Sequence, residues 1–350
     1  MKKSLIALAV LAASGAAMAQ SSVTLYGRAD VWLGSVNIDD GTTSTSTTKL
    51  DNGGATSSRW GMIGSEDLGG GLKANFNFEQ GVSMDNGAAG NFNRAAWVGL
   101  GGGFGDVKLG FIATAYDDVS GASDALFDSD LSPMNGADSY KNVPSVFTSV
   151  RHTSRPANTI YYKAPKMGGF SGAVSYGINE TDNATVGTSN TSFNLTYGAG
   201  PLAAQFGYQV QKTDGQASDI NFTRLGASYN FGVATAKLVL GATKNASIAP
   251  ATLATTGALT YNDGASTSEY LLGVDMPVSA AMTVSAAYAK SDDNVTAGDT
   301  TRSGYAIGAV YTLSKRTALY GGYKAMTMDF IGATPDAKVS ILALGVKHTF

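Results

Sequence analysis

The chain has 350 residues, of which 43% are hydrophobic and only 15% are charged, and its formal net charge is −3. Soluble proteins average about 25% charged residues, so this composition is unusual for a soluble domain. The absence of cysteine excludes disulfide frameworks and cysteine-based zinc sites. The acidic balance gives the chain no electrostatic reason to bind nucleic acid. We expect neither a cofactor nor a metal ion.

The first residues have the pattern of an export signal. Lys2 and Lys3 precede an apolar run that ends at an Ala17-Met18-Ala19 motif. A basic start, a short apolar core and small residues at the cleavage point are typical of a secretory signal peptide, and the run is too short for a membrane anchor. We therefore predict a signal peptide over residues 1–19 and a single mature domain over residues 20–350.

Beyond Gln20 the apolar residues recur at every second position, and no run approaches the roughly 20 residues of a membrane helix. One such segment alternates Leu72, Ala74, Phe76 and Phe78 with Lys73, Asn75, Asn77 and Glu79. Successive side chains of a strand face opposite sides, so each segment has one apolar and one polar face. This pattern fits a soluble β-sandwich, or a membrane barrel that turns its apolar face to lipid.

The connections favour the barrel, because short turns alternate with long polar loops. The short ones lie at 68–71, 101–103, 198–201, 230–232 and 313–316, and the long ones at 37–56, 179–190, 244–267 and 291–300. Outer-membrane barrels have this asymmetry, with tight turns on the periplasmic side. About sixteen strands are predicted, starting near Val23, Ser57, Leu72, Phe92, Phe104, Asn158, Phe170, Thr191, Leu202, Asp219, Val233, Thr267, Met282, Thr301, Thr317 and Ala337. The predicted fold is all-β: a transmembrane antiparallel up-and-down β-barrel, wide enough for an aqueous channel.

One connection, from about Thr114 to Ala157, is much longer than the others. Structureless connections above about 15 residues are usually functional or signal a wrong assignment. This one is either a surface excursion, perhaps with a missed strand at 146–150, or a loop folded into the barrel to narrow it. In the second case its acidic residues would face the water path: Asp117, Asp118, Asp124, Asp128 and Asp130. Clustered carboxylates also suit hard cations, but their spacing matches no recognised calcium loop.

Several segments resemble successive blocks of the Gram-negative general diffusion porins. They are SSVTLYGRAD (21–30), SRWGMIGSEDLGGGLKANFNFE (58–79), FNRAAWVGLGGGFGDVKLG (92–110), NTIYYKAPKMGGFSG (158–172) and the terminal VKHTF (346–350). The resemblance implies a sixteen-stranded, homotrimeric barrel in the Gram-negative outer membrane. Small hydrophilic solutes and ions would diffuse through it passively, and the loop after the fifth predicted strand would fold inward.

The resemblance also implies a wall of basic residues that faces acidic residues of this loop. Matched position by position, the basic side of the pore constriction is Arg28, Arg59, Arg94 and Arg155. Asp130 matches the loop acid best, and we place Asp124 and Asp128 beside it. Two departures predict a less charged constriction. Met134 stands where many relatives have an acid, and Phe111 stands where closer relatives have arginine.

The alternation of side chains supports these basic positions independently. Arg28 shares a strand face with Thr24, Tyr26 and Asp30, opposite an apolar face. A lipid-facing arginine at mid-membrane costs about 2–4 kcal/mol, which favours the lumen over lipid. The alternative is an arginine near a membrane interface, paired with an acid or a headgroup. Because the expected pore charges have mixed signs, the sequence predicts weak ion selectivity that fades with salt.

The chain ends on a strand whose alternate residues are large. Alternate residues lie on the same face of a strand, and here that face consists of Leu342, Leu344, Val346, His348 and Phe350. In a closed barrel the last strand pairs with the first and leaves no edge, so we expect this face to point at lipid. The resemblance implies that Phe350 belongs to the assembly signal read by the barrel-assembly machinery. Outer-membrane lipids and lipopolysaccharide are the other expected partners.

Other functions have little support in the sequence. A Ser-His-acid hydrolase would need a histidine oriented by a carboxylate beside a nucleophile. Of the two histidines, His348 lies on the strand face of Phe350, expected to meet lipid, and His152 lies in the long connection as a solvated or pore-lining residue. The glycine-rich turns precede no helix that could hold a phosphate. We therefore predict that the chain is not an enzyme. Two alternatives to a general porin stay open: a solute-specific outer-membrane channel, and a structural or adhesive barrel.

Overall fold

The structure is a computed structural model that describes residues 22–39, 41–126, 129–136, 145–180, 186–248, 259–295, 298–329 and 336–350. The predicted signal peptide at 1–19 lies outside these residues. Within the described ranges, no helix is long and apolar enough to cross a membrane. The only helical elements there are two short 3₁₀ turns, Asp117–Val119 and Ser149–Arg151.

Almost all the regular structure in the described residues is β-strand. The strands are β1 (Ser22–Asp39), β2 (Ser44–Asn52), β3 (Arg59–Gly69), β4 (Leu72–Gly81), β5 (Ala95–Gly102), β6 (Gly105–Phe111), β7 (Thr159–Lys163), β8 (Phe170–Gly177), β9 (Thr188–Ala199), β10 (Leu202–Thr213), β11 (Ile220–Asn230), β12 (Thr235–Ile248), β13 (Leu259–Pro277), β14 (Met282–Val295), β15 (Gly298–Thr312), β16 (Thr317–Asp329) and β17 (Ala337–Thr349). From β3 onward, each pairs antiparallel with the next.

The sheet closes because β17 returns to pair with β1. Arg28 lies opposite Thr349 in this ladder, and the backbones of Gly27 and Phe350 exchange two hydrogen bonds of 3.0 Å. β1 pairs with β3 along its first part and with β2 along its second part. β2 and β3 therefore form one interrupted position, and the barrel has sixteen positions, as predicted. Closure leaves no sheet edge exposed to lipid.

The strand prediction is wrong in three places where the chain is polar. One is the loop predicted over 291–300, where β14 continues to Val295 and β15 already begins at Gly298. The sequence predicts a loop over 37–56, but β2 occupies Ser44–Asn52 and pairs with β1. It also predicts a strand start near Thr267, whereas β13 begins at Leu259. Threonine-rich segments fit a pleated sheet well, but a hairpin that meets water on both faces has no apolar alternation by which to recognise it.

The predicted short turns are present. In the turn at Gly69–Gly71 the backbone conformation accounts for the three glycines. These three residues join β3 to β4 with φ values of 83°, 62° and 80°. Left-handed backbone of this kind is strained for any residue with a Cβ atom. Two other tight connections, after β5 and β9, are also only two residues long.

The outer face of the barrel is apolar, as the alternation predicts. Leu342, Leu344 and Phe350 of the last strand are 53%, 68% and 51% exposed, while their neighbours Ile341 and Ala343 are buried inside. Large exposed side chains occur in the same alternation on β1, β5, β11 and β15. A continuous apolar wall of this kind is stable only against lipid or another apolar surface.

The interior is partly filled by the long connection between β6 and β7, residues 112–158, which we call the inner loop. Its Leu126, Met134 and Phe147 belong to one buried cluster with inward side chains such as Leu271 and Ile341. Inward folding of this loop is therefore confirmed, and the described part of 146–150 contains no strand. Met134, where the resemblance to porins led us to expect a less charged constriction, packs into this cluster.

Candidate pore constriction

The first part of the inner loop is hydrogen-bonded to the wall formed by β8, β9 and β10. The Ala115 backbone N–H donates to Ser175 Oγ at 3.0 Å, and its carbonyl accepts from Asn194 Nδ2 at 2.6 Å. Thr114 Oγ1 donates to Gln209 Oε1 at 2.9 Å. Small polar side chains that point into the barrel therefore replace water for this stretch of loop backbone.

The last part of the inner loop is held by buried charged residues. Arg224 donates to Ser149 Oγ at 2.8 Å and also to the Ser120 carbonyl. Glu269 accepts from the Ser149 N–H at 3.1 Å and from the Thr148 N–H. Buried charges are tolerated only when they are paired and hydrogen-bonded. The 3₁₀ turn Ser149–Arg151 is thus fixed between β11 and β13 from both sides.

Arg302 of β15 adds a third charged anchor. It donates to the Ser145 carbonyl at 2.9 Å and to Thr148 Oγ1 at 2.6 Å. Its charge is balanced by Asp293 of β14 at 2.6 Å. Because β11, β13 and β15 each contribute one of these anchors, the loop is attached to a broad arc of the wall.

Two lysines hold the middle of the inner loop, where Asp124 is buried. Lys324 Nζ donates to the carbonyls of Ser132 and Asn135 at 3.2 and 3.1 Å. Lys237 Nζ donates to the Asp124 carbonyl at 2.7 Å. The Asp124 side chain is 2% exposed and accepts from Ser132 Oγ at 2.9 Å. The prediction that Asp124 faces the pore is wrong, because this carboxylate closes a buried turn of the loop.

On the opposite side, the four predicted arginines lie together. Arg28 Nη1 donates to Thr56 Oγ1 at 3.1 Å, and Arg59 Nη2 lies 3.5 Å from the same oxygen. Arg155 Nε donates to the Arg94 carbonyl at 3.1 Å. β1, β3 and the residue before β5 supply three of these guanidiniums from the wall, and the end of the inner loop places Arg155 beside them. We call these four arginines the basic arc.

Glu79 on β4 is the carboxylate between two of these arginines. Its Oε1 lies 2.8 Å from Arg94 Nε and 3.5 Å from Arg59 Nη1. Tyr26 donates a further hydrogen bond to Glu79 Oε2 at 3.0 Å. Glu79 is not among the pore residues predicted from the sequence, although its alternation with Phe78 places it on the polar face. This alternation was the sequence feature that could have identified Glu79 as a pore-facing residue.

Asp117 is the loop acid that meets the basic arc. Its two oxygens lie 3.2 Å from His152 Nε2 and 3.3 Å from Arg155 Nη2. Burial raises the pKa of Asp117, but the hydrogen bond and charge of His152 and the guanidiniums of Arg155 and Arg94 outweigh it, so this pKa lies below its ordinary value. The stability that the ionised carboxylate provides is therefore lost only as the pH falls through the lowered pKa.

A cavity of about 300 Å³ lies between the inner loop and the basic arc. Arg59, Arg94, Arg155, Asp117 and Asp130 are among its lining residues. Three further basic or titratable residues line the cavity, although they were not predicted as pore residues: Arg151, His152 and Arg224. Among the described residues that line this cavity, basic side chains outnumber the acidic ones, and fixed positive charge concentrates mobile anions.

The predicted site residues therefore fall into three groups. Arg59, Arg94, Arg155 and Asp130 line one cavity, and Arg28 reaches its edge through Thr56. Asp124 is buried away from it. Asp128 lies outside the described residues. Within the described ranges, no three carboxylate or histidine side chains converge as a metal site would require.

A family model described as Gram-negative porin matches residues 5–329. "Outer membrane porin protein 32" of Delftia acidovorans is 40% identical over 211 residues, 58% of this chain and 58% of the relative. "Major outer membrane protein P.IB" of Neisseria meningitidis serogroup B is 33% identical over 192 residues, 53% of this chain and 51% of the relative. The chain thus spans between half and three-fifths of these curated relatives.

Solved structures agree over nearly the full length. An "anion-selective porin from Comamonas acidovorans" superposes with a TM-score of 0.75 at 29% identity, covering 95% of this chain and 100% of the other. Salmonella typhi OmpF has a TM-score of 0.67 at 17% identity, covering 94% of this chain and 97% of the other, and shares the fold. The chain belongs to the Gram-negative porin family, whose place is the outer membrane.

Proposed function

We propose that this protein is an outer-membrane porin whose water-filled channel admits small hydrophilic solutes and ions by passive diffusion, with a preference for anions. The observation that carries the proposal is the 300 Å³ opening between the inner loop and the guanidiniums of Arg59, Arg94 and Arg155. Porins are channels rather than enzymes. The similar structure from Comamonas acidovorans bears the description anion-selective.

The anion preference follows from which charges reach the opening. Glu79 offsets one of the two positive charges of Arg59 and Arg94, and Asp124 is buried in the loop away from the opening. Strong ion preference needs pore charges of one sign. Asp117 and Asp130 reduce the positive excess of the described lining residues without removing it. We therefore expect a stronger anion preference than the sequence predicts, still weakened by salt because exposed charges are screened over about 8–10 Å.

Planar-bilayer recording of the purified protein tests this function. We expect stepwise conductance increases, and a reversal potential on the anion side in a low-salt KCl gradient. A general porin conducts without being blocked by one particular solute, whereas a specific channel is blocked by its substrate. Absence of steps would favour the structural or adhesive barrel. A cation-side reversal potential would contradict the anion preference alone.

We propose further that residues 1–19 are removed on export and that residues 20–350 assemble as a homotrimer. The apolar outer wall supports this, since Val23, Leu25 and Leu344 on the paired strands β1 and β17 are 65%, 61% and 68% exposed. Three barrels can cover such faces around a common axis, leaving the rest to lipid and lipopolysaccharide. The protein should migrate as a trimer in unheated detergent gels and as a monomer after boiling. Monomers in both lanes would contradict the assembly.

A further inference from the structure

The wall position formed by β2 and β3 is interrupted by residues 53–58, which we call the inturned segment. Val31 pairs with Asn52 of β2, and Arg28 pairs with Arg59 of β3. Six residues therefore stand opposite only two residues of β1, so the extra backbone must leave the sheet. Gly53, Thr56 and Ser57 line the same cavity as the inner loop. The inturned segment is thus a second element that borders the opening.

One fully buried residue, Asp30 on β1, holds this segment. Its Oδ2 accepts the backbone N–H groups of Ala55 and Thr56 at 3.2 and 3.0 Å. Its Oδ1 accepts from Tyr320 Oη at 2.6 Å. The Asp30 backbone is bound as well, since its carbonyl accepts from the Gly53 N–H and from Ser58 Oγ, both at 3.0 Å. Asp30 is 0% exposed, so it does not contact a solute.

The inturned segment contacts both sides of the opening. The Gly54 carbonyl accepts from the Asp130 N–H of the inner loop at 3.1 Å. Thr56 Oγ1 accepts from Arg28 at 3.1 Å and lies 3.5 Å from Arg59 Nη2. A side chain at Gly54 would collide with Tyr320 and Trp32, because an added Cβ would lie 2.5 Å from Tyr320 Oη and 2.7 Å from Trp32 Cδ1. The position of this segment therefore sets where two pore arginines are held.

We infer that Asp30 is a positioning residue for ion selection: it fixes the inturned segment, and through Thr56 it holds Arg28 and Arg59 at the edge of the opening. Its carboxylate acts by accepting hydrogen bonds rather than by its charge. This inference rests on the proposed channel function. Without the tether the two guanidiniums lose a fixed hydrogen-bond partner, and Arg59 is free to move toward Glu79, which already lies 3.5 Å away.

Two substitutions at Asp30 separate geometry from charge. Asp30→Ala removes both the charge and the acceptors, and we expect a shift of the reversal potential toward cations at low salt, with a raised single-channel conductance. In Asp30→Asn the amide oxygen still accepts from Ala55 and Thr56 while its NH₂ group donates to Tyr320 Oη, so we expect values close to wild type. Asp39→Ala is the matched control, because Asp39 lies on the same strand and accepts from Gly41 instead.

The opposite model, in which Asp30 acts by its charge, gives the opposite sign. Removing a negative charge would then shift both Asp30 variants toward anions, and that result would overturn the inference, as would wild-type behaviour of Asp30→Ala. If Asp30→Ala yields no folded barrel, Thr56→Val replaces it, since valine removes only the hydroxyl that Arg28 binds. We expect Thr56→Val to shift toward cations, and an unchanged reversal potential would refute the inference. A wild-type protein that does not conduct would instead refute the proposed function.

Discussion

At the residue scale, the proposed anion preference depends on the basic arc, in which Arg59 and Arg94 lie on either side of Glu79. Two unit charges about 7 Å apart in water interact by about one RT, so each guanidinium raises the nearby anion concentration about threefold. We expect Arg59→Gln with Arg94→Gln to lower the anion-to-cation permeability ratio several-fold at low salt. Reversal potentials in a KCl gradient measure this ratio.

Arg316→Gln is the control for this double variant, because Arg316 is exposed at the turn after β15. It removes positive charge without changing the cavity lining. An effect of Arg316→Gln as large as that of the double variant would mean that general surface charge, rather than the basic arc, sets the permeability ratio.

Asp117 gives a pH-dependent prediction. Its pKa is lowered in spite of burial by His152, Arg155 and Arg94, so it is ionised at pH 7 and opposes the basic arc. Asp117→Asn should raise anion preference at pH 7 and lower the thermal denaturation temperature. Below the lowered pKa the wild-type carboxyl is protonated as well, so the two proteins should converge. Bilayer recordings and thermal denaturation across a pH series compare them, and a difference that persisted at the most acidic pH would contradict this account.

The residue scale also shows where alternation misleads. Arg224 lies on the same face of β11 as Ile220 and Phe222. Two large apolar residues at alternate positions are typical of a face that meets lipid. The structure buries all three inside, because Phe222 packs against Tyr116 of the inner loop. Where a loop covers the inner face of a strand, that face also has apolar residues. The alternation within a single strand then does not distinguish the face toward lipid from the face toward the loop. Arg59 and Arg94 were predictable because their faces stay polar.

At the element scale, the inner loop is a structural part of the barrel, and Glu269 is the acceptor for two of its backbone N–H groups. Each buried N–H left without an acceptor costs about 1–3 kcal/mol. Glu269→Ala should therefore lower the thermal stability and loosen the turn Ser149–Arg151, which we expect to appear as excess noise in the open-channel current. Glu269→Gln keeps one acceptor oxygen and should be milder.

Glu66→Ala serves as the control, since Glu66 is exposed on β3. If Glu269→Ala conducts with wild-type noise and denatures at the wild-type temperature, the loop is held by its apolar cluster and by Arg224 and Arg302 without Glu269.

The elements themselves were predictable to different degrees. Strands that separate lipid from lumen, such as β4 and β15, were found because their two faces meet different solvents. The inner loop was found because of its length. β2 and the inturned segment were not predicted, because β2 is polar on both faces and the six residues that leave the sheet after it carry no periodic signal. Their position is set by Asp30 and Tyr320, which are 290 residues apart in the chain.

At the scale of the whole molecule, closure of the barrel depends on the contact between β1 and β17. Phe350 is 51% exposed, and its backbone forms two hydrogen bonds with Gly27. We expect deletion of Phe350 to lower the yield of assembled barrel in cells far more than it lowers the denaturation temperature of the barrels that do form. Heat-modifiable gel migration measures the yield.

Phe104→Ala is the matched control, because it removes an equally exposed aromatic ring, 48% exposed, from a short turn. A normal yield of assembled barrels from the truncated chain would show that the terminal residue is not part of an assembly signal.

The unequal numbers of fixed charges at the opening have a hydrodynamic consequence under the proposed function. Among the described residues there, Arg59, Arg94, Arg151 and Arg155 outnumber Glu79, Asp117 and Asp130, so we expect anions to be the more abundant mobile ions in the narrow part. Ions that cross a passage of this size push water ahead of them, so a current carried mainly by anions pumps water toward the positive electrode. Uncharged sugars dissolved in that water are carried along. The polarity of an applied voltage would therefore decide from which side a neutral solute enters faster, although the solute itself has no charge.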